Sequence, residues 1–325
     1  MEIKAIKFTK DGFMTKSFAF GGGLSEGTIP LPNEKILSDE KLPSCLQNYL
    51  IDTGSEVILV DTGLPEETPD TSPSERSLIY VGKPIQSYMS ALKELGYEAE
   101  DITKILVTHK HLDHTGELRS FPNAKIYISR IEADAMKLQG ENVIRVDFTD
   151  GAYQNFEKSQ KIADGIFYIF APGHTSGNSI VIVEADGFFY LIHGDVTYTD
   201  EALHKNRLSV VFENLEQARD TLSRVRKFIK NNPTIYLSTH TPQGYQNLES
   251  KKIMRLSDEE VSSENITLLD DVTEKTNANI DKQKIIRKTW ICSICGYEHY
   301  GDEPPEKCPR CGQSGDVFKL QDGIF

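Results

Sequence analysis

The sequence predicts an α+β protein: two similar αβ layers facing each other over residues 1–250, a charged linker at 251–288, and a compact cysteine-rich module at 289–325. Three observations carry that prediction. Short β-branched strands alternate with helical patterns through the first 250 residues. A weak internal echo splits that stretch into halves. Val57-Ile58-Leu59-Val60 runs into Asp61-Thr62-Gly63, and Phe188-Phe189-Tyr190-Leu191-Ile192 runs into His193-Gly194-Asp195. Four of the five cysteines then gather near the end of the chain, in two C-x-x-C pairs.

Taken in order, residues 1–7 alternate as a strand does and lack the apolar core of a signal peptide. Residues 47–51 and 56–60 are apolar and flank Asp52-Thr53-Gly54-Ser55, which reads as a hairpin. A helix is expected from Pro84, a good first-turn residue, to Gly96, with Ile85, Tyr88, Met89, Leu92 and Leu95 on one core-facing side. Residues 102–108 form a strand that leads directly into His109-Lys110-His111-Leu112-Asp113-His114. Further strands are expected at 125–129, 166–170, 179–184 and 187–192. A second helix covers 215–230, with Asn214 as N-cap and Gln217 three residues later, and Asn231-Asn232-Pro233 stops it. A strand at 235–238 then ends at Thr239-His240. Residues 251–288 hold no Gly or Pro and carry eight acidic and eight basic residues, which reads as a partly helical linker.

Composition excludes several classes of function. Charged residues at 26% and hydrophobic residues at 38% are ordinary for a soluble globular chain. No apolar run approaches the ~20 residues of a membrane span, so no membrane partner and a cytoplasmic location are expected. A net charge of −13 opposes nucleic-acid binding, which needs Lys and Arg in excess. Cys45, beside Leu46, reads as a small buried hydrophobe rather than a nucleophile.

The chemistry concentrates in the histidine run. In extended backbone, residues two apart point the same way, so His109 and His111 aim at one metal together. Where the chain turns, Asp113 and His114 point toward a second. Imidazole and carboxylate ligands suit zinc, iron and manganese alike. One cluster cannot fill two metal shells, and loops at strand ends offer His174 in Pro172-Gly173-His174-Thr175, Asp195 in His193-Gly194-Asp195, and His240 in Ser238-Thr239-His240. His193 reads as packing beside the site and His204 as a surface residue.

This set, with the preceding Val60-Asp61-Thr62-Gly63, resembles the ligand motifs of the metallo-β-lactamase superfamily over roughly residues 45–245. The resemblance implies a four-layer αββα sandwich with the metals at one edge of its two sheets. It implies one metal on His109, His111 and His174, another on Asp113, His114 and His240, and Asp195 bridging both, with Asp61 orienting a ligand. Within the superfamily the likeness is to the N-acyl homoserine lactone lactonases, through Gln47-Asn48-Tyr49-Leu50-Ile51, Leu95-Gly96-Tyr97-Glu98 and Asp195-Val196-Thr197-Tyr198. It implies hydrolysis of a small lactone, ester or thioester by metal-activated water. Tyr198 would steady the oxyanion and Asp113 would pass a proton to the leaving oxygen. Leu112 departs from the pattern, since those lactonases usually carry an aromatic residue there. The segment 65–83, with three prolines, reads either as a cover for the pocket or as a plain surface loop.

Cys292, Cys295, Cys308 and Cys311 have tetrathiolate spacing for iron or zinc. With Trp290, Tyr297, the Gly301-Asp302-Glu303-Pro304-Pro305 loop and Phe318, they resemble a rubredoxin of the short form that ends rubrerythrins. That implies one iron (zinc being the alternative), single-electron transfer and an electron-transfer partner. The combination also admits an oxidoreductase of flavodiiron type. Such proteins have a carboxylate where this chain has His111, and they carry a flavodoxin domain that 251–288 is too short to hold. A non-catalytic scaffold would not need so complete a ligand set. The expected function is therefore a dinuclear-metal hydrolase, zinc leading among the metals, with a small-molecule ester or lactone substrate; a homo-oligomer is compatible with it.

Overall fold

The structure, a computed structural model, describes residues 1–22, 38–68, 72–256, 289–292, 298–300, 303–307 and 314–321. Two compact units divide the chain, the first spanning Met1–Thr68 and Ser72–Asn265, the second mainly Ile266–Phe325. Each is described by itself.

Two large sheets frame the first unit. One has six strands in the order Glu2–Lys7, Gln47–Asp52, Val57–Val60, Ile102–Val107, Lys125–Ser129 and Val143–Val146. The other has five, from Ser159–Ala163 through Ile166–Phe170, Ser179–Ala185 and Phe188–Ile192 to Thr234–Leu237. The hairpin of Gln47–Asp52 and Val57–Val60 is antiparallel, with Tyr49 opposite Val60.

Side chains alternate across each strand, and the alternation sorts them into layers. Tyr49, Ile51, Ile58, Val60 and Leu106 of the first sheet meet Tyr168, Val181, Val183, Ile192 and Leu237 of the second in a central core. The opposite faces bury their own helices. Leu50, Leu59, Ile105 and Val107 pack against Tyr88, Ala91 and Leu92 of the helix Tyr88–Glu94. Ile169, Ile180, Ile182 and Leu191 pack against Ala218, Leu222, Val225 and Phe228 of the helix Leu215–Asn231. The result is the four-layer αββα sandwich.

One element begins later than the sequence predicts. The first long helix starts at Tyr88, because the Ser87 hydroxyl caps it by accepting from the Ser90 N–H at 3.2 Å. Pro84 instead belongs to Lys83–Pro84, a two-residue strand beside Thr9–Lys10, where its missing N–H costs nothing at an edge. Ile85 therefore leaves the apolar stripe and is 48% exposed. The asparagine cap on Leu215–Asn231 is as expected: Asn214 Oδ1 accepts from the Gln217 N–H at 2.9 Å.

A small three-stranded sheet lies beside the sandwich. Gly12–Thr15 pairs with Lys41–Ser44 on one side and Ile79–Tyr80 on the other. It adjoins an apolar cluster of Met14, Phe18, Phe20, Tyr198 and Ala202, with Leu42, Leu78 and Ile79 packed against it. Within 65–83, then, Ile79–Tyr80 is sheet rather than loop.

In the second unit, Thr289–Cys292 is the central strand of an antiparallel sheet between Glu298–Tyr300 and Phe318–Gln321. Phe318 is buried. Cys295, Cys308 and Cys311, Tyr297, and the stretch 257–288 lie outside the described residues. No helix among the described residues is long and apolar enough to cross a membrane.

Candidate active site

Seven sequence-predicted ligands meet at one end of the two sheets, five on loops that leave strands and two, Asp113 and His114, in the short helix Leu112–Thr115. His109 and His111 follow Ile102–Val107, His174 follows Ile166–Phe170, Asp195 follows Phe188–Ile192, and His240 follows Thr234–Leu237. They form two groups. His109, His111, His174 and Asp195 make one, and Asp113, His114 and His240 the other, with the donor atoms of each group within 4.8 Å of one another.

Neighbouring acceptors fix which ring nitrogens face inward. The Val211 carbonyl accepts from His174 Nδ1 at 3.0 Å, which leaves His174 Nε2 as a lone pair. Thr108 Oγ1 donates to Asp61 Oδ2 at 2.8 Å, so it can accept from His109 Nδ1 at 3.0 Å and free His109 Nε2. Both free Nε2 atoms then lie 3.0 Å from His111 Nδ1. One ring proton cannot serve two lone pairs well at once. Three converging imidazole nitrogens of this kind fit a shared cation.

Asp195 touches both groups. Its Oδ2 lies 3.3 Å from His174 Nε2 and 3.0 Å from His240 Nε2, and its Oδ1 lies 3.4 Å from His114 Nε2. Asp113 reaches His240 Nε2 at 3.5 Å and His114 Nε2 at 3.7 Å, and at 23% side-chain exposure it sits nearer solvent than the rest.

Burial and charge pull the two groups apart. Burial holds His109 well below the usual histidine value, lowers His111, and brings His174 to about 4. Burial would also lower His114 and His240, but the carboxylates outweigh it, Asp195 foremost, and raise both. Burial would raise Asp195, yet His240 and His114 draw it well below the usual carboxylate range; Asp113 is lowered by the same pair. The first group thus offers neutral imidazoles, and the second gathers positive charge around ionised carboxylates. Neutral imidazoles and ionised carboxylates are the donors a cation takes, and in the second group a cation would replace the ring protons of His114 and His240 as the charge that balances Asp113 and Asp195.

Asp61 supports the arrangement from beneath. Its backbone is left-handed, with φ 65, an unfavourable state for a residue bearing a Cβ. Three bonds hold it there: Oδ1 accepts from the Thr108 N–H at 2.7 Å, and Oδ2 accepts from Thr108 Oγ1 at 2.8 Å and from His114 Nδ1 at 2.7 Å. The last bond turns His114 Nε2 toward Asp113 and Asp195. Asp61→Asn exchanges one acceptor for a donor, and the expected result is about 10–100-fold weaker metal binding, read by chelator competition. Gly173 gives His174 its approach: a Cβ there would run into the Ala218 backbone at 2.3 Å.

Tyr198 stands over the second group. Its ring lies edge-on to His240 at 4.7 Å and stacks on Phe18 at 5.4 Å with a 4° tilt. Burial, then Asp195 and Asp113, push its phenol well above the ordinary value, so it remains a donor. Leu112 opens the short helix Leu112–Thr115 and is 38% exposed.

The remaining candidates are away from the centre. Cys45 is 4% exposed, and burial pushes its thiol up to about 12, which leaves it inert. His204 is exposed at the end of Asp200–His204. His193 is buried and stacked on Tyr236 at 4.1 Å, and burial lowers it to about 3. An unfolded histidine titrates near 6.5. The neutral ring therefore fits the fold without penalty above that pH, and stability is lost as pH falls from there toward the folded value. At about pH 5 the loss is about 2 kcal/mol. In metal-free protein, His193→Phe is expected to keep the stack and shrink the fall in melting temperature on acidification by several degrees.

One buried group at the site was not anticipated from the sequence. Glu132, 1% exposed, sits beneath the histidine run with its carboxylate on two backbone N–H groups. Its local string, Ser129-Arg130-Ile131-Glu132, has the form of a helix start and points to capping instead.

Residues 47–240 match the family model of the metallo-beta-lactamase superfamily, and residues 290–319 match that of the rubrerythrin rubredoxin-like domain. An N-acyl homoserine lactonase of a Bacillus species is 26% identical over 212 residues, which is 63% of this chain and 84% of that protein. A probable metallo-hydrolase of Mycobacterium tuberculosis is 25% identical over 233 residues, 61% of this chain and 74% of its own. Among solved structures, a B. thuringiensis enzyme with N-decanoyl-L-homoserine bound at its active site has a TM-score of 0.56 at 22% identity, covering 79% of this chain and 97% of that one. A dizinc quorum-quenching lactonase has a TM-score of 0.51 at 18% identity, covering 74% and 86%. The layers, the order of the strand-end loops and the matched span agree, and on them the chain belongs to the metallo-β-lactamase superfamily, whose matched members are metal-dependent hydrolases.

Proposed function

We propose that residues 1–250 form a dinuclear-metal hydrolase that opens a lactone, or cleaves an ester or thioester, of a small molecule. The observation that carries this reading is Asp195, whose two oxygens reach both histidine groups. The lactonase names of the matched relatives support the substrate class. Zinc leads as the metal, with iron and manganese as alternatives.

Two divalent ions bound there would supply Lewis acidity, which acidifies a water near neutral pH and polarises the scissile carbonyl. The protein's own groups do the rest. His109, His111 and His174 would hold one ion and Asp113, His114 and His240 the other, with Asp195 shared between them. Tyr198, kept neutral by burial, donates its phenol proton to the developing oxyanion. Asp113 is ionised and nearer solvent, so its carboxylate can accept the proton of the nucleophile and return it to the leaving oxygen.

Residues 251–288 are proposed as a linker and 289–325 as a rubredoxin-type module, with one iron (or zinc) on Cys292, Cys295, Cys308 and Cys311. The rubredoxin-like match favours a second reading, in which that module passes electrons to the dinuclear site. His111, in place of a carboxylate, opposes it. Purified full chain, assayed anaerobically on lactone, thioester and oxygen or nitric oxide panels, separates the two. Lactone or ester cleavage is expected. Reduction of oxygen or nitric oxide by pre-reduced protein, without ester cleavage, would establish the second reading in its place. A colourless preparation containing only zinc would remove the iron.

A further inference from the structure

We propose that Glu132 is a positioning residue for one of the two metal groups, the one made by His109, His111, His174 and Asp195, and not for the other. The inference rests on the dinuclear reading.

Glu132 lies in the short helix Arg130–Ala135, directly after the first-sheet strand Lys125–Ser129. Its Oε2 accepts from the Lys110 N–H at 2.8 Å, between His109 and His111. Its Oε1 accepts from the Gly177 N–H at 2.7 Å, three residues beyond His174. One loop springs from the first sheet and the other from the second. A single buried carboxylate therefore bolts together the two loops whose imidazoles must meet at 3.0 Å. Ionised acceptors make the stronger and more directional bonds, which suits a joint between two layers.

The fit at Gly177 is independent support. A Cβ there would lie 2.7 Å from Glu132 Oε1 and 2.4 Å from Ser129 Oγ. Only glycine lets the backbone come so close to the carboxylate. A second tie spans the same two loops from outside. Lys110 Nζ donates to Glu213 Oε1 at 2.5 Å, and Glu213 Oε2 accepts from the Ser176 N–H at 2.6 Å. The second metal group has a different support: His114 is held by Asp61. Neither of the two Glu132 carboxylate bonds ends in the short helix Leu112–Thr115 that carries Asp113 and His114, or in the loop bearing His240.

Glu132→Gln keeps the volume and removes the charge, and its amide turns a donor toward one of the two N–H groups. The test compares zinc release from the full chain to a chromophoric chelator in two backgrounds. His240→Ala leaves the first group whole, and His111→Ala leaves the second. Any zinc on the C-terminal cysteines would be common to all these proteins and cancel. Glu132→Gln is expected to speed release about 10–100-fold in the His240→Ala background and to leave the His111→Ala background unchanged. Gly177→Ala, which wedges the carboxylate aside, is expected to repeat that pattern and serves if Glu132→Gln does not fold. Equal acceleration in both backgrounds, or none in the first, overturns the inference. Wild-type chain that holds no histidine-bound zinc, iron or manganese overturns the dinuclear reading and the inference together.

Discussion

Asp195→Ala is expected to strip metal from both groups and take hydrolysis to the background rate. The cause is electrostatic. Asp195 is 3% exposed, and His174, His114 and His240 all face its oxygens within 3.4 Å. Removing one member of a buried charged set costs about 3–5 kcal/mol, because its partners are left without compensation. At 1.4 kcal/mol per decade, that is roughly two to three and a half decades in metal affinity. In the proposed assignment no other ligand would be shared by both ions, so no other single substitution should lose both. Metal analysis after gel filtration, with lactone turnover on the same sample, checks this. Retention of both ions at the wild-type rate would refute the bridging role.

Tyr198→Phe should separate chemistry from binding. The variant keeps the ring, and with it the stack on Phe18 and the edge contact with His240. It loses only the hydroxyl, whose proton burial and the two carboxylates retain at neutral pH. Loss of one donor to an oxyanion typically lowers kcat by about 10²–10³-fold. A group that acts only in the transition state leaves KM nearly unchanged. The expected outcome is a fall in kcat near the lower end of that range, because the metals share the charge, with metal content intact. An unchanged kcat would assign Tyr198 to packing alone.

Much of this site could be read from the sequence, for identifiable reasons. The histidine run was visible because its imidazole and carboxylate groups are close in sequence and follow a β-branched strand. His174, Asp195 and His240 were visible as polar residues where apolar strands stop. Asp61 stood out through the turn that carries it. Glu132 did not, because its partners are backbone N–H groups, and no residue type in the sequence marks them. The same blindness moved the start of the first long helix: Pro84 is acceptable in a first turn and at a strand edge, and only the pairing with Thr9–Lys10 decides between them. The small sheet of Gly12–Thr15, Lys41–Ser44 and Ile79–Tyr80 was missed because its strands are short and far apart in the chain. The cluster around Tyr198 depends on that sheet, so the apolar wall of the site was hidden with it.

Hydrolysis at the paired histidine groups is the central claim, and isotope incorporation tests it most directly. Metal-loaded full chain is incubated with an N-acyl homoserine lactone in ¹⁸O-labelled water, and the ring-opened acid is analysed by mass spectrometry. Attack of water on the carbonyl carbon predicts one ¹⁸O atom per product, located in the carboxylate. No turnover of lactone, ester or thioester by protein that holds both metals would contradict it.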